Sequence, residues 1–258
     1  MWAVSRILQE IRGERVKVGS GYYYIMRRGE SRVLKPGGRF LPNSELTYSV
    51  LNEKSIFTGS YYDLFLPLME LYQSPRVLVI GLAGGVIPYQ IHSIYGRRAS
   101  IDVVEVDAGA VHLPERFLKI KSQPWRVIVD DGAGYVEKTK QKYDVIILDA
   151  YKGDAIPEIF TGAAFAKAAF SALSDHGILA INLISPSAIG QYTISLSGHF
   201  SVYACNERQS NCLILGSKHF DAAAIKAASS HFSKDEGARY LLKVYGDLEE
   251  RRPLHVQG

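Results

Sequence analysis

A doubly wound α/β sheet with an antiparallel hairpin at one edge, preceded by a small N-terminal β-hairpin segment, is the fold that this 258-residue chain predicts. Three observations carry it. Arg76-Val-Leu-Val-Ile-Gly-Leu-Ala-Gly-Gly85 is a continuous apolar run ending in clustered glycines, the pattern of a buried parallel strand that turns at once into a helix. Asp102-Val-Val-Glu-Val-Asp107 is a second apolar strand, with an acid at its end. From Pro75 onward strand and helix signals alternate, which builds a mostly parallel sheet with helices on both faces.

Residues 1–58 read as a β-rich segment. Gly19-Ser-Gly-Tyr-Tyr-Tyr-Ile-Met-Arg-Arg-Gly29 and Ser31-Arg-Val-Leu-Lys-Pro-Gly-Gly38 set β-prone runs between Gly and Pro, the vocabulary of hairpins. Residues 59–250 form the main α/β unit. It opens with a helix over 61–72, in which Tyr61, Phe65, Leu68 and Tyr72 fall near one stripe and Pro67 bends the helix or marks a start. Strands follow over 77–80, 101–106, 126–129, 144–148 and 177–183, with helices over 86–95, 110–117, 133–138, 159–173 and 186–196. A hairpin over 201–205 and 212–215 lies at the edge, helices over 222–232 and 234–245 close the unit, and 251–258 is a loose tail.

With 47% hydrophobic residues the chain can bury a full core. It lacks an apolar run of the roughly 18 residues that a membrane span needs and a signal-peptide pattern at its start, so a cytoplasmic location is expected. Cys205 and Cys212 are too few for a structural zinc site. They flank a polar turn and face each other across a hairpin in this reading, as two reduced thiols. No metal is expected, since His92, His112 and His176 are isolated. Residues 1–39 hold nine Lys/Arg against three Glu, while the rest of the chain carries 21 against 23. The excess reads first as a solvated face, and otherwise as a surface for phosphates, RNA included.

The glycine turn and the second strand together describe a nucleoside pocket. Gly81, Gly84 and Gly85 let backbone approach a ligand with no Cβ in the way, and Glu105, twenty residues past Gly85, can accept hydrogen bonds from both ribose hydroxyls. In this reading Glu105 serves affinity and not the fold. Val127-Ile-Val-Asp-Asp-Gly132 ends the third strand, where Asp131 can accept the exocyclic amine of an adenine, cap the following helix, or do both. The fourth strand, Tyr143-Asp-Val-Ile-Ile-Leu-Asp149, delivers Asp149 to the same crevice, because ligands in open α/β sheets sit beyond the carboxyl ends of strands. A carboxylate there can hold an amine and take its proton, provided the site is dry enough to raise its pKa.

These residues, in this order, resemble the aminopropyltransferases, the spermidine synthase family, over about 61–183 and more weakly over the hairpin segment before it. The resemblance implies a Rossmann-like, methyltransferase-type domain behind a small β-hairpin domain. It makes Gly81, Gly84 and Gly85 the glycine turn, Glu105 the ribose acid, Asp131 and Gly132 the adenine-side pair, Asp149 the acid that activates the attacking amine, and Tyr61 or Tyr62 a substrate-side tyrosine. Two departures stand out. The family's glycine turn includes an aspartate that contacts the aminopropyl amine, where Leu82-Ala83-Gly84 has no carboxylate. The family's second acid, three residues after the catalytic one, is Lys152 here, so either Asp154 replaces it, with Lys152 turned to solvent, or the loop has changed its substrate.

The resemblance therefore implies aminopropyl transfer from decarboxylated S-adenosylmethionine to a polyamine or diamine, by a homodimer or homotetramer. A methyltransferase using intact S-adenosylmethionine on RNA or a small amine is the alternative. A non-catalytic nucleoside-binding protein, with Asp149 only a capping residue, is a third reading from another class.

Overall fold

A computed structural model describes residues 13–253, apart from 20, 41, 44, 45, 154 and 207–210. Four strands, β1 (Glu14–Val18), β2 (Gly21–Arg28), β3 (Ser31–Gly37) and β4 (Ser49–Asn52), form an antiparallel meander in chain order. Arg27 and Arg32 both pair with Glu53, Arg32 also donates to the Phe117 carbonyl outside the small sheet, and Lys35 donates to the Leu46 carbonyl at 3.1 Å.

The chain then makes a 3-10 turn over Tyr61–Phe65 and a short helix α1 (Leu66–Met69) in place of one helix over 61–72. Pro67 sits in the first turn of α1, where its missing N–H costs nothing, so it marks a start. Asp63, fully buried, accepts from Thr58 N, Gly59 N, Gln90 Nε2 and Tyr240 OH at 2.6–3.0 Å and anchors this turn.

The second sheet alternates as the pattern requires: β5 (Arg76–Ile80), α2 (Val86–Tyr95), β6 (Ser100–Glu105), α3 (Leu113–Leu118), β7 (Arg126–Val129), α4 (Gly132–Lys138), β8 (Tyr143–Leu148), α5 (Ala163–Ala172), β9 (Leu173–Leu183) and α6 (Ile189–Ser197). Then come β10 (Ser201–Asn206), β11 (Cys212–Ser217), α7 (Ala222–Ala228), α8 (Tyr240–Gly246) and β12 (Glu249–Arg251). The order across the sheet is β12-β10-β11-β9-β8-β5-β6-β7, with β5 to β9 parallel and β10 to β12 antiparallel. The β5–β8 pair is the switch point, since β6 and β7 extend to one side of β5 and β8 and β9 to the other. A crevice opens there, beyond the carboxyl ends of the strands.

Successive side chains of β5 enter opposite cores. Val77 and Val79 join Leu34 and Leu51 of the small sheet, Phe65, Phe117 and Tyr245, while Leu78 and Ile80 meet Phe160, Phe165 and Tyr192. The first of these cores is shared by both sheets, so the small sheet is packed on the larger one through apolar side chains.

Other local expectations change as well: the helix expected over 159–173 runs Ala163–Ala172, because Glu158–Phe160 forms a separate 3-10 turn and Leu173 already begins the strand expected over 177–183. The helix expected over 110–117 starts at Leu113 with Pro114 in its first turn, after a separate 3-10 turn capped by Asp107. The closing helices are shorter, because 229–232 tightens into a 3-10 turn and α8 begins only at Tyr240. Arg251 is not in a loose tail: it pairs with Val202, so β12 and not the β10–β11 hairpin takes the edge. The cysteines do not face each other. Cys205 pairs with Leu213 and Cys212 with Asn206, one position out of step, so the two thiols enter opposite faces of the sheet. Both are buried and free, and burial pushes the Cys212 thiol up to about 11.

Candidate active site

The crevice is a cavity of about 1050 Å³ at the carboxyl ends of β5, β6, β7, β8 and β9. Its floor is set by β8, β5 and β6, whose ladders continue past the strand ends: Asp149 N donates to Ile80 O of β5 at 3.0 Å and Gly81 N to Val104 O of β6 at 2.9 Å.

The glycine turn is built for packing. A Cβ on Gly81 would lie 2.4 Å from the Asp149 carbonyl oxygen, one on Gly84 2.6 Å from Phe117 Cδ1, and one on Gly85 2.8 Å from Pro114 Cβ. Gly81 and Gly85 also take φ of +100° and +73°, which only glycine adopts without strain. Thus the Cβ-free sides of all three face protein. Leu82 N donates to Glu105 Oε2 at 3.1 Å, Gly84 N to Ser49 Oγ of β4 at 3.0 Å, and Gly85 N to Leu82 O at 2.7 Å, so these amides are spent inside the fold. Gly81, Leu82 and Ala83 line the cavity, whereas Gly84 and Gly85 lie behind it.

Glu105 lines the cavity and also accepts from Asp107 N at 2.9 Å through Oε1. It holds two backbone amides as well as facing the crevice, which departs from the expectation that it serves affinity alone. Tyr23 of β2 and Tyr48, rings 5.9 Å apart, bring the small sheet to this side. Burial, reinforced by Tyr48, Asp107 and Glu105, pushes the Tyr23 hydroxyl up to about 12.

Asp131 caps α4, its Oδ1 accepting from Gly134 N at 2.7 Å, and still lines the cavity with an exposed carboxylate. Gly132 also lines it, and a Cβ there would meet Ile80 Cγ2 at 2.4 Å.

Asp149 stands between two donors. Tyr61 OH donates to its Oδ2 at 3.2 Å and Asn182 Nδ2 to its Oδ1 at 2.9 Å. Burial pushes this carboxyl up to about 6, and the two hydrogen bonds pull the other way by less. Tyr61 rather than Tyr62 lines the cavity: Tyr62 stacks behind it with ring centroids 4.0 Å apart and donates to Tyr48 O at 3.4 Å. Lys152 is exposed at the rim, in a turn closed by its N–H on Ala155 O at 2.9 Å, while Asp154 lies outside the described residues.

Several cavity residues escape a reading of the sequence alone. Asn182, 3% exposed, sits on β9 and accepts at Oδ1 from Asn211 Nδ2 at 2.8 Å. Tyr151 donates its hydroxyl to the Asn182 carbonyl. The one detectable signal is Asn182 itself, a polar side chain in the apolar run Ile178-Leu-Ala-Ile-Asn-Leu-Ile184. Val106, Ile159 and Ile184 form an exposed apolar rim, which suits a flat ring or a methylene chain. Among the described residues, no group of three metal-ligating side chains occurs, and no helix is long and apolar enough to cross a membrane.

A doubly wound sheet that turns Glu105 and Asp149, from two of its parallel strands, toward one crevice at the switch point has the architecture of a Rossmann-type α/β domain. The family model for the spermine/spermidine synthase domain matches residues 64–197, and the chain belongs to this family. Among its relatives, the polyamine aminopropyltransferase of Vibrio vulnificus (strain CMCP6) is 31% identical over 148 residues, which are 54% of this chain and 49% of the relative. That of Prochlorococcus marinus (strain AS9601) is 30% identical over 137 residues, 50% of this chain and 48% of the relative. The chain thus spans about half the length of the curated relatives it matches. In fold it is similar to a probable spermidine synthase from Corynebacterium glutamicum ATCC 13032, with TM-score 0.68 and 16% identity over 93% of this chain and 96% of the other. It is similar also to the spermidine synthase of Thermotoga maritima, with TM-score 0.61 and 20% identity over 80% and 74%.

Proposed function

We propose that the chain transfers an aminopropyl group from decarboxylated S-adenosylmethionine to an amine of the polyamine or diamine class. The observation that carries this is Asp149, a carboxyl held near pKa 6 between Tyr61 and Asn182, at the floor of a crevice that Glu105 and Asp131 also face.

The chemistry follows from charge. An acceptor amine arrives as an ammonium and is unreactive until it gives up a proton. Asp149, ionised above about pH 6, attracts the ammonium and takes the proton as the nitrogen lone pair is freed. The nitrogen attacks the carbon bound to the sulfonium; the C–N bond forms, the C–S bond breaks, and its electron pair stays on sulfur as a neutral thioether. The protein has only to align the two partners and exclude water. In this reading Glu105 takes the ribose hydroxyls, Asp131 and Gly132 the adenine edge, and the apolar rim the flat faces of the base and the methylenes of the amine. Tyr61 orients Asp149, and Asp154 serves the distal ammonium in place of Lys152.

Incubation of the protein with decarboxylated or intact S-adenosylmethionine, each with putrescine, cadaverine, spermidine or agmatine, followed by product mass analysis, tests it. Aminopropyl addition from the decarboxylated donor is expected. Methyl addition from the intact donor, to an amine or to bulk tRNA, would replace this reading.

A further inference from the structure

Asp149 is one end of a chain of side chains whose direction is fixed by its charge. A carboxylate only accepts, so the Asn182 group facing it is the amide NH₂, and Asn182 Oδ1 is left to accept from the Asn211 NH₂. Asn182 cannot turn over without setting its oxygen against the carboxylate. Its backbone is held too: it pairs with Leu213 of β11, and its carbonyl accepts the Tyr151 hydroxyl. Asn182 is 3% exposed, in a strand segment otherwise filled by Ile, Leu and Ala. Burying an amide at that place is costly unless both ends are used, and here both are.

We infer that Asn182, locked in orientation by Asn211, is a positioning residue that keeps Oδ1 of Asp149 occupied and leaves Oδ2, on the Tyr61 side, to receive the acceptor's proton. The inference rests on the reading of Asp149 as proton acceptor. Tyr61 OH can move off Oδ2, since it is a single rotatable hydroxyl held at 3.2 Å, whereas the Asn182 side-chain amide is tied at both ends and its backbone carbonyl accepts from Tyr151. A proton placed on Oδ1 would also meet the Asn182 NH₂ hydrogen head on. The arrangement makes Asp149 one-sided and favours its ionised form.

The other titratable groups near Asp149 are Tyr61 and Tyr62 ahead of α1, Tyr151 after β8, Glu105 and Asp131 across the cavity, and Lys152 at its rim. Burial and the Asp149 charge raise the three tyrosines, so they stay neutral through the range in which Asp149 titrates.

Two measurements test the inference separately from the function. Carboxyl-carbon NMR of ¹³C-aspartate-labelled protein reads the Asp149 titration with no reaction required, and the pH profile of kcat/KM reads its use. Asn182→Leu, which keeps the branched skeleton and removes both polar atoms, is expected to move the Asp149 midpoint up by a unit or more. Asn211→Ala, on the cavity side and outside the apolar strand core, is expected to move it the same way by less. The acidic limb of kcat/KM moves with each midpoint while the donor KM stays within twofold. An unmoved midpoint in Asn182→Leu, or an acidic limb that ignores a moved midpoint, overturns the positioning role. If the parent transfers no aminopropyl group to any amine, the functional reading fails, and the NMR midpoints still decide whether Asn182 governs Asp149.

Discussion

The Cα hydrogen of Gly81 points at the backbone of Asp149, so closely that a methyl group there would sit 2.4 Å from the Asp149 carbonyl oxygen. Glycine at this point is what lets β5 and β8 end side by side with the acid over the crevice. Gly81→Ala combines a φ of +100° with a backbone clash, so it is expected to cost about 3 kcal/mol and displace Asp149. Thermal melting and kcat should fall together, unlike a change confined to ligand contacts. An Ala variant with parental melting and turnover would show that the two strand ends are not this tightly set.

Asp149→Asn should make the protein more stable and less active. The folded carboxyl titrates near 6 and an unfolded one near 3.9, so between these values the folded state holds more protons. The stabilising effect of the bound proton is full below about pH 4 and is lost as pH rises through 6. At neutral pH the buried charge then costs on the order of 3 kcal/mol, which the amide does not carry. The oxygen of the substituted amide still accepts from the Asn182 NH₂, and its own NH₂ can donate to the Tyr61 hydroxyl. Melting is expected to rise by roughly 5 °C at pH 7.5, with the gain fading toward pH 4. Turnover should fall by about 10²–10⁴. Equal melting curves at both pH values would mean that Asp149 is not held dry.

Glu105→Ala tests a carboxylate with two duties. It removes the acceptor of Leu82 N and Asp107 N, so a loss of about 2 kcal/mol in stability is expected beside the loss of nucleoside binding. Denaturant melts and isothermal titration with methylthioadenosine measure the two effects apart. Retained affinity would remove the ribose assignment, and retained stability would mean that the turn is held without Glu105.

Which strands build the parallel part of the main sheet, and which of their ends carry acids, is legible in the sequence alone. A run such as Val77–Ile80 can only be a strand buried on both faces, and the acids and glycines after such runs must lie at one edge of a parallel sheet, so Glu105, Asp131 and Asp149 are legible as one crevice. What depends on which elements become neighbours is not. Asn182 reaches Asp149 because β9 pairs with β8, and Asn211 reaches Asn182 because β11 turns back along β9, neither of which a local pattern encodes. The choice of Tyr61 over Tyr62 is made by a 3-10 turn anchored on Asp63, and the separation of Cys205 from Cys212 by a one-residue register. In the sequence the glycines read as room for a ligand, and packing gives that room to Asp149, Phe117 and Pro114. Periodicity and residue chemistry are properties of the chain, but close approach between distant segments is created only when the sheet assembles.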